Sequence, residues 1–437
     1  KDSYYAHFDS RNGCVTLVSS SPTQAWNELA RQRGVTIEPD LFHQLGLTWS
    51  RGRLVAWLDG KQIVGVTLPE APRGYSGIGT SQARALFKDF YSYGRRIDMP
   101  FEEKHEPFVV VCEDGGAGGY EAFPDVVRLQ NDELLAVCYA GYDHISWPAP
   151  QLPRGGRIVC VRSKDNGLTW GKAETVYDSE IDNRDPHISQ SADGTVFVTW
   201  FDLVNHPVRG FATAGQWFVR SFDGGHTWEK DAHLISMEYA ASAPIRQLPD
   251  GDLILGLYTE SNEHAWGATT KSRDGGLTWE TPVDIGKESP IRHDAETDVV
   301  LLKSGKLMAA LRPTMSYALS DDLGESWGPI APFGFEGHAP YFLYSSGGVL
   351  LLAHRLPQTS LHYSLDDGAT WQGPVLVDDV IGSYCSMQEL PDGTIIIVYY
   401  TEGPGSDIRA RFFKADETGI TFLDPEELRA RFSRSQT

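Results

Sequence analysis

Basic residues are scarce in this chain: 38 Lys and Arg stand against 59 Asp and Glu, a formal net charge of −21 over 437 residues. Phosphate recognition needs a positive surface, so a nucleic-acid-binding role is excluded. Long apolar runs are missing too. The stretch 394–400 is strand-sized and far short of the roughly 18 apolar residues that a membrane-spanning helix requires, so no membrane span is expected. Cysteine is limited to five residues (Cys14, Cys112, Cys138, Cys160 and Cys385) with no Cys-x-x-Cys or Cys/His spacing. Neither a zinc site nor a disulfide framework is signalled, and the odd count leaves at least one thiol free. The first residue is Lys1 rather than methionine, so removal of a signal peptide, a tag or further sequence is expected. Glycine and proline, by contrast, are plentiful at 44 and 25, which requires frequent turns. The length allows two or three domains with ample core.

Internal repetition organises most of the chain. The pattern Ser-x-Asp-x-Gly-x-Thr/Ser-Trp occurs five times, at 163–170, 221–228, 272–279, 320–327 and 364–371, with the tryptophans 44 to 58 residues apart. Such periods belong to propellers and other arrays. A second repeat interleaves with it: two apolar strands joined by a polar or glycine turn, at 123–140, 185–202, 243–260, 297–313, 339–357 and 385–402. Five of the turns are built on glycine-containing pairs such as Asp193-Gly194 and Asp392-Gly393, a strong hairpin signal between β-branched runs. Six hairpins and five motifs predict an all-β, six-bladed β-propeller over 107–437. Residues 108–112 are expected to pair with 408–413 to close the ring.

The first hundred residues differ. Segments 45–49, 53–66 and 87–94 read as strands of an antiparallel sheet turning at Asp59-Gly60, and 23–34 as helix or irregular loop. This divides the chain into a β domain at 1–94, a linker at 95–106 and the propeller.

Strand direction locates the working face of the propeller. Starts of first strands and ends of second strands share one end of each blade, while the Trp motifs lie at the other. Tyr120, Glu121, Asp182, Arg184, Asp185, His187, His293, Asp294, Glu296, His338 and Tyr384 are therefore expected to converge with Asp143, His144, Asp202, Glu260, Arg312, Arg355 and Glu402.

The five motifs match the Asp-box of sialidases and their relatives, and the resemblance covers roughly 107–422. Segment 1–94 resembles the later part of a laminin-G or concanavalin-like jelly roll. The sialidase resemblance implies that the five box aspartates brace turns and take no part in chemistry. It also implies a sialidase-type exo-glycosidase acting on glycans, retaining through a tyrosyl intermediate and using no cofactor or metal. The reason for a tyrosine is electrostatic: the substrate carboxylate would repel an anionic nucleophile. Tyr384 resembles that nucleophile and Glu296 its partner. Arg312 and Arg355 resemble the second and third carboxylate-binding arginines, whose forked donors suit the task. Asp185 resembles a substrate-hydroxyl contact, with Arg184, His187, Glu121 and His338 as further substrate contacts. Asp143 resembles the general acid, with His144 and Glu121 as alternatives. One departure stands out: Ala122 occupies the place of the family's first arginine, so either Arg154 or Arg157 substitutes or the sugar is not an ordinary sialic acid. Another hydrolase or lyase activity, and a non-catalytic glycan-binding propeller, are the rival readings. A secreted, periplasmic or cell-surface location is expected.

Overall fold

A computed structural model describes residues 3–9, 13–21, 24–37, 43–50, 53–68, 107–150, 152–206, 210–259, 265–291, 296–312, 315–356, 358–378, 382–402 and 406–435. The expected strand at 87–94, the linker at 95–106 and the expected face residues Glu260, His293 and Asp294 lie outside these residues. The chain divides into two compact units, Lys1–Glu103 and Lys104–Thr437.

In the first unit, Leu45–Ser50, Arg53–Leu58 and Lys61–Thr67 form an antiparallel sheet turning at Asp59-Gly60, as the sequence predicts. A second three-stranded sheet joins Ser3–Asp9, Cys14–Ser21 and Gln24–Arg33. The last of these corrects the expectation of helix or loop at 23–34. Its Glu, Leu, Ala and Arg favour helix only weakly, and pairing along Cys14–Ser21 overrides that preference. Val15, Leu17, Leu54 and Ala56 form the core of this unit.

Among its described residues the second unit contains six antiparallel sheets of the propeller type, each built on four strands consecutive in sequence. Their first two strands are the hairpins read from the sequence: Tyr120–Arg128 with Leu134–Gly141, Asp182–Gln190 with Val196–His206, and so on to Gly382–Glu389 with Ile395–Thr401. Between the third and fourth strands stand the Trp motifs. In the first, the Ser163 hydroxyl accepts the Gly167 amide at 2.9 Å, while Asp165 accepts the Thr169 amide and hydroxyl at 2.9 and 2.6 Å. The same set recurs around Asp223, Asp274, Asp322 and Asp366. These aspartates are thus occupied with their own turns.

Apolar clusters lie between successive sheets. One contains Val137, Ile158, Val198 and Trp200 from the first and second sheets. Another contains Val126 and Ala136 of the first sheet with Val398, Ile408 and Phe412 of the last. Val109–Cys112 pairs with Ile408–Asp416, so an early segment is tied into the last sheet, as expected. A C-terminal helix, Pro425–Ser435, was not anticipated; the Asp424 carboxylate caps it by accepting the Glu426 amide at 2.8 Å.

Candidate active site

The inner strands share a local irregularity that shapes the site. In four sheets the ladder shifts register near the start of the first strand: between Ala122 and Asp125, Arg184 and His187, His338 and Tyr341, and Ser383 and Ser386. Each bulge contains one non-glycine residue with left-handed backbone: Phe123 (φ 52°), Asp185 (φ 51°), Ala339 (φ 53°) and Tyr384 (φ 43°). Such residues cost about 1–3 kcal/mol each and persist where the surroundings fix them. A bulge re-aims the side chain it carries. In three cases the next residue is proline, which has no amide to lose from the ladder. Glu296 holds the matching place in the fourth sheet, two residues before Asp298, just as Phe123 precedes Asp125. Both aspartates accept the amide of the residue that follows them, at 2.7 Å.

Three neighbouring sheets meet at Tyr384. Its hydroxyl donates to Glu296 Oε1, and Arg312 Nη1 lies 2.5 Å from the same oxygen and 3.3 Å from the tyrosine hydroxyl. Glu296 Oε2 accepts the Ala339 amide at 2.9 Å. The Arg355 guanidinium sits 5.2 Å from the centroid of the Tyr384 ring. Burial pushes the Glu296 carboxyl up, but Arg312, the Tyr384 hydroxyl and Arg355 outweigh it, and the group stays below its ordinary value. Burial and the Glu296 charge push Tyr384 well above the ordinary phenol range. The pair therefore rests as neutral phenol and carboxylate, with the proton already aimed at its acceptor. His338 is held down to about 4 by burial and by the two arginines, so it is neutral near pH 7.

A second group borders the first. The buried Arg184 guanidinium donates to the His144 carbonyl at 2.8 Å and lies 3.2 Å from His144 Nε2. Because guanidinium only donates, Nε2 accepts, and Nδ1 carries the proton toward the Tyr120 hydroxyl at 2.9 Å. The Tyr120 and Tyr400 hydroxyls in turn donate to Glu402, at 3.2 and 2.8 Å. Burial, Arg184 and Arg355 push His144 down to about 3. Asp185, 3% exposed, accepts the Ser242 hydroxyl through Oδ2 at 3.1 Å, while its Oδ1 is buried with no hydrogen-bond partner among the described residues.

Other expected residues stand elsewhere. Glu121 is fully buried: Oε1 accepts the Gly115 amide at 2.9 Å, and no described residue pairs with Oε2. This corrects its assignment as a substrate contact: the ladder slips by one residue between Ala122 and Asp125, so the bulge breaks the alternation that would have put residue 121 on the same face as residue 123. Asp143 is exposed and accepts the backbone amide of His144 at 2.8 Å. His187 is buried, with Nδ1 donating to Asp125 at 3.0 Å. Arg154 and Arg157 both turn to Asp178, at 3.4 and 3.8 Å, and line a cavity of about 480 Å³ with Tyr142 and Leu152. Neither joins the Tyr384 group. The guanidinium found beside the Ala122 strand is instead that of Arg184, 4.9 Å from the Phe123 ring and 5.9 Å from the ring of Tyr139, the cross-strand partner of Ala122.

Sequence reasoning missed the anions beneath the site. Asp125 accepts the Ser386 and Tyr341 hydroxyls, His187 Nδ1 and the amides of Val126 and Ile188, tying four sheets together. Asp298 forms a two-pronged pair with Arg246 at 3.0 and 2.6 Å and accepts the Phe342 amide at 2.7 Å. The recurrent X-Pro at 123–124, 185–186, 243–244 and 339–340 was the available signal for the inner ring, since it marks the same strand position in four hairpins.

A family model described as a BNR repeat-like domain matches residues 155–397. A curated sialidase of Micromonospora viridifaciens is 26% identical over 357 residues, covering 68% of this chain and 52% of the relative, so the chain spans about half the length of the curated relative it matches. Among solved structures, a protein of unknown function from Dyadobacter fermentans DSM 18053 aligns with TM-score 0.61 at 20% identity, over 71% of this chain and 98% of that one. The intramolecular trans-sialidase of Ruminococcus gnavus aligns with TM-score 0.54 at 15% identity, over 70% and 96%. At these identities the structural likeness concerns the fold alone.

Proposed function

The chain belongs to the BNR repeat-like family, within the sialidase superfamily, and on that premise we propose that it is an exo-glycosidase of the sialidase type that releases a terminal acidic sugar with retention. The observation that carries the reading is the contact of the Tyr384 hydroxyl with Glu296, with Arg312 against both and Arg355 over the phenol ring. In this scheme the Tyr384 oxygen bonds to the anomeric carbon as its proton passes to Glu296, the bond from that carbon to the leaving oxygen breaks, and the leaving oxygen departs protonated by the general acid. A neutral nucleophile meets no repulsion from the sugar carboxylate, which Arg312 and Arg355 hold. In the second step a water bonds to the carbon and yields a proton to the group that served as acid, the bond to the tyrosine oxygen breaks, and Glu296 returns its proton to that oxygen; two displacements give net retention.

Ala122 favours a second reading for the sugar, in which the acid group differs from that of an ordinary sialic acid. Matched aryl glycosides of sialic acid, of other acidic sugars and of neutral sugars such as rhamnose separate the two. Cleavage confined to acidic sugars supports the proposal; efficient cleavage of a neutral sugar with the sialoside untouched refutes it.

A further inference from the structure

Arg154 and Arg157 take no part in the chemistry above, and neither closes a tight ion pair. Elsewhere in the propeller a guanidinium grips its carboxylate through two short bonds, as Arg246 does with Asp298 at 3.0 and 2.6 Å. Here both arginines share Asp178 at 3.4 and 3.8 Å, too far for that forked contact. Their other donors hold the surrounding backbone, Arg154 at the Asp178 carbonyl (2.5 Å) and Arg157 at the Gly116 carbonyl. Arg157 Nε and Asp178 Oδ1 are buried with no hydrogen-bond partner among the described residues, and both residues line the cavity of about 480 Å³. An open donor and an open acceptor in one cavity carry a desolvation cost, which a ligand that both accepts and donates would remove.

The walls suit a sugar. Ala117, Leu152 and Pro153 offer apolar surface and Tyr142 a ring, against which the few polar groups would fix the orientation of hydroxyls. The walls are also held in place: the Ser146 hydroxyl accepts the Tyr142 amide and the Ser146 carbonyl the Gly156 amide, both at 2.9 Å. Gly118 (φ 139°) packs so closely on Gly141 that a Cβ there would overlap its carbonyl oxygen. Two guanidiniums against one carboxylate leave an excess positive charge in the lining, in a chain whose net charge is −21, and Arg154 is half-exposed. An acidic sugar fits that balance better than a neutral one. The cavity borders the Tyr384 group rather than lying remote from it. Ring contacts run from Tyr384 to Phe123 and on to Tyr139, at 5.0 and 5.8 Å, and Gly156 packs on the Tyr139 ring one residue before Arg157.

We propose that this cavity is a second glycan-binding subsite, which takes an acidic sugar lying beyond the one released, so that the preferred substrates carry two acidic units; its link to turnover rests on the glycosidase reading above. The anionic group of that sugar, a carboxylate or a sulfate ester, meets Arg154 and Arg157. Its hydroxyls meet Arg157 Nε and Asp178 Oδ1.

The test measures release of the terminal sugar from three probes that share it: lactose carrying one sialic acid, lactose carrying two in series, and the first of these sulfated on its galactose. Wild type should favour at least one doubly acidic probe over the singly acidic one by about tenfold in kcat/KM, through KM, and the probe favoured tells carboxylate from sulfate. Arg154→Ala should bring that ratio close to one, and Arg154→Lys, which keeps the charge without the fork, should keep part of it. The ratio is read only from protein that turns over both probes, so a misfolded variant cannot imitate the effect. A wild-type ratio near one for both doubly acidic probes, or a ratio that Arg154→Ala leaves unchanged, would overturn the subsite while the glycosidase reading stands. Titration calorimetry separates the converse case: a doubly acidic probe that binds wild type about tenfold more tightly than Arg154→Ala, with no sugar released from any probe, would support the subsite and overturn the glycosidase reading.

Discussion

Replacing Arg312 with alanine should do two separable things. Arg312 Nη1 lies 2.5 Å from Glu296 Oε1 and 3.3 Å from the Tyr384 hydroxyl, and the proposed chemistry also has it grip the sugar carboxylate. A charge-assisted hydrogen bond is worth about 1.5–3 kcal/mol, so kcat/KM should fall roughly 10- to 100-fold from lost substrate contact. The second effect concerns pH. Burial pushes Glu296 up, and Arg312 is the largest influence that holds it down. Without the guanidinium, burial dominates and the carboxyl value rises. Glu296 must be ionised to accept the tyrosine proton, so activity is present above its folded value and lost as pH falls through it. The acidic limb of kcat/KM therefore moves to higher pH in Arg312→Ala, and less so in Arg312→Lys, which keeps the charge without the fork. Profiles with an aryl sialoside from about pH 4 to 9 read both effects. A drop in kcat/KM with an unmoved acidic limb would refute the coupling between Arg312 and Glu296.

Two further outcomes concern stability. Burial pushes Glu121 up to about 7, so the folded protein holds a proton there that the unfolded chain releases near 4.5; stability should fall by about 3 kcal/mol as pH rises between these values, and Glu121→Gln should remove that fall in urea unfolding at about pH 5 and 8. Asp125→Ala strips the shared acceptor from Tyr341, Ser386 and His187, and should lower unfolding free energy by about 3–5 kcal/mol; a loss under about 1 kcal/mol would contradict its role as a tie between sheets.

Most of the fold was legible because its signals are local. The five Trp motifs fold into nearly identical turns whose bonds span no more than four residues, and the Asp-Gly turns fix the hairpins without reference to distant chain. The site was legible where residue type and strand end coincide, which brought Tyr384, Glu296, Arg312 and Arg355 together on paper and in the structure. Three things were hidden. The facing of Glu121 depends on strand parity past a bulge, and one extra residue reverses it. The commitment of Arg154 and Arg157 to Asp178 depends on how a long loop folds back. Asp125 gathers partners from residues up to 261 positions away, a convergence that no local pattern announces. At 23–34, neighbouring strands decided the conformation against a weak helical preference.

The central claim is a covalent bond between Tyr384 and the sugar, and trapping it is the most direct test. A glycosyl fluoride of the acidic sugar, carrying a second fluorine beside the anomeric carbon, slows both displacements but speeds departure of the first leaving group, so the intermediate accumulates. Peptide mapping by mass spectrometry after incubation should find the mass of the fluorinated glycosyl group on the peptide holding Tyr384, and not in Tyr384→Phe. An adduct on another residue, or no adduct together with inverted product by NMR, would contradict the account.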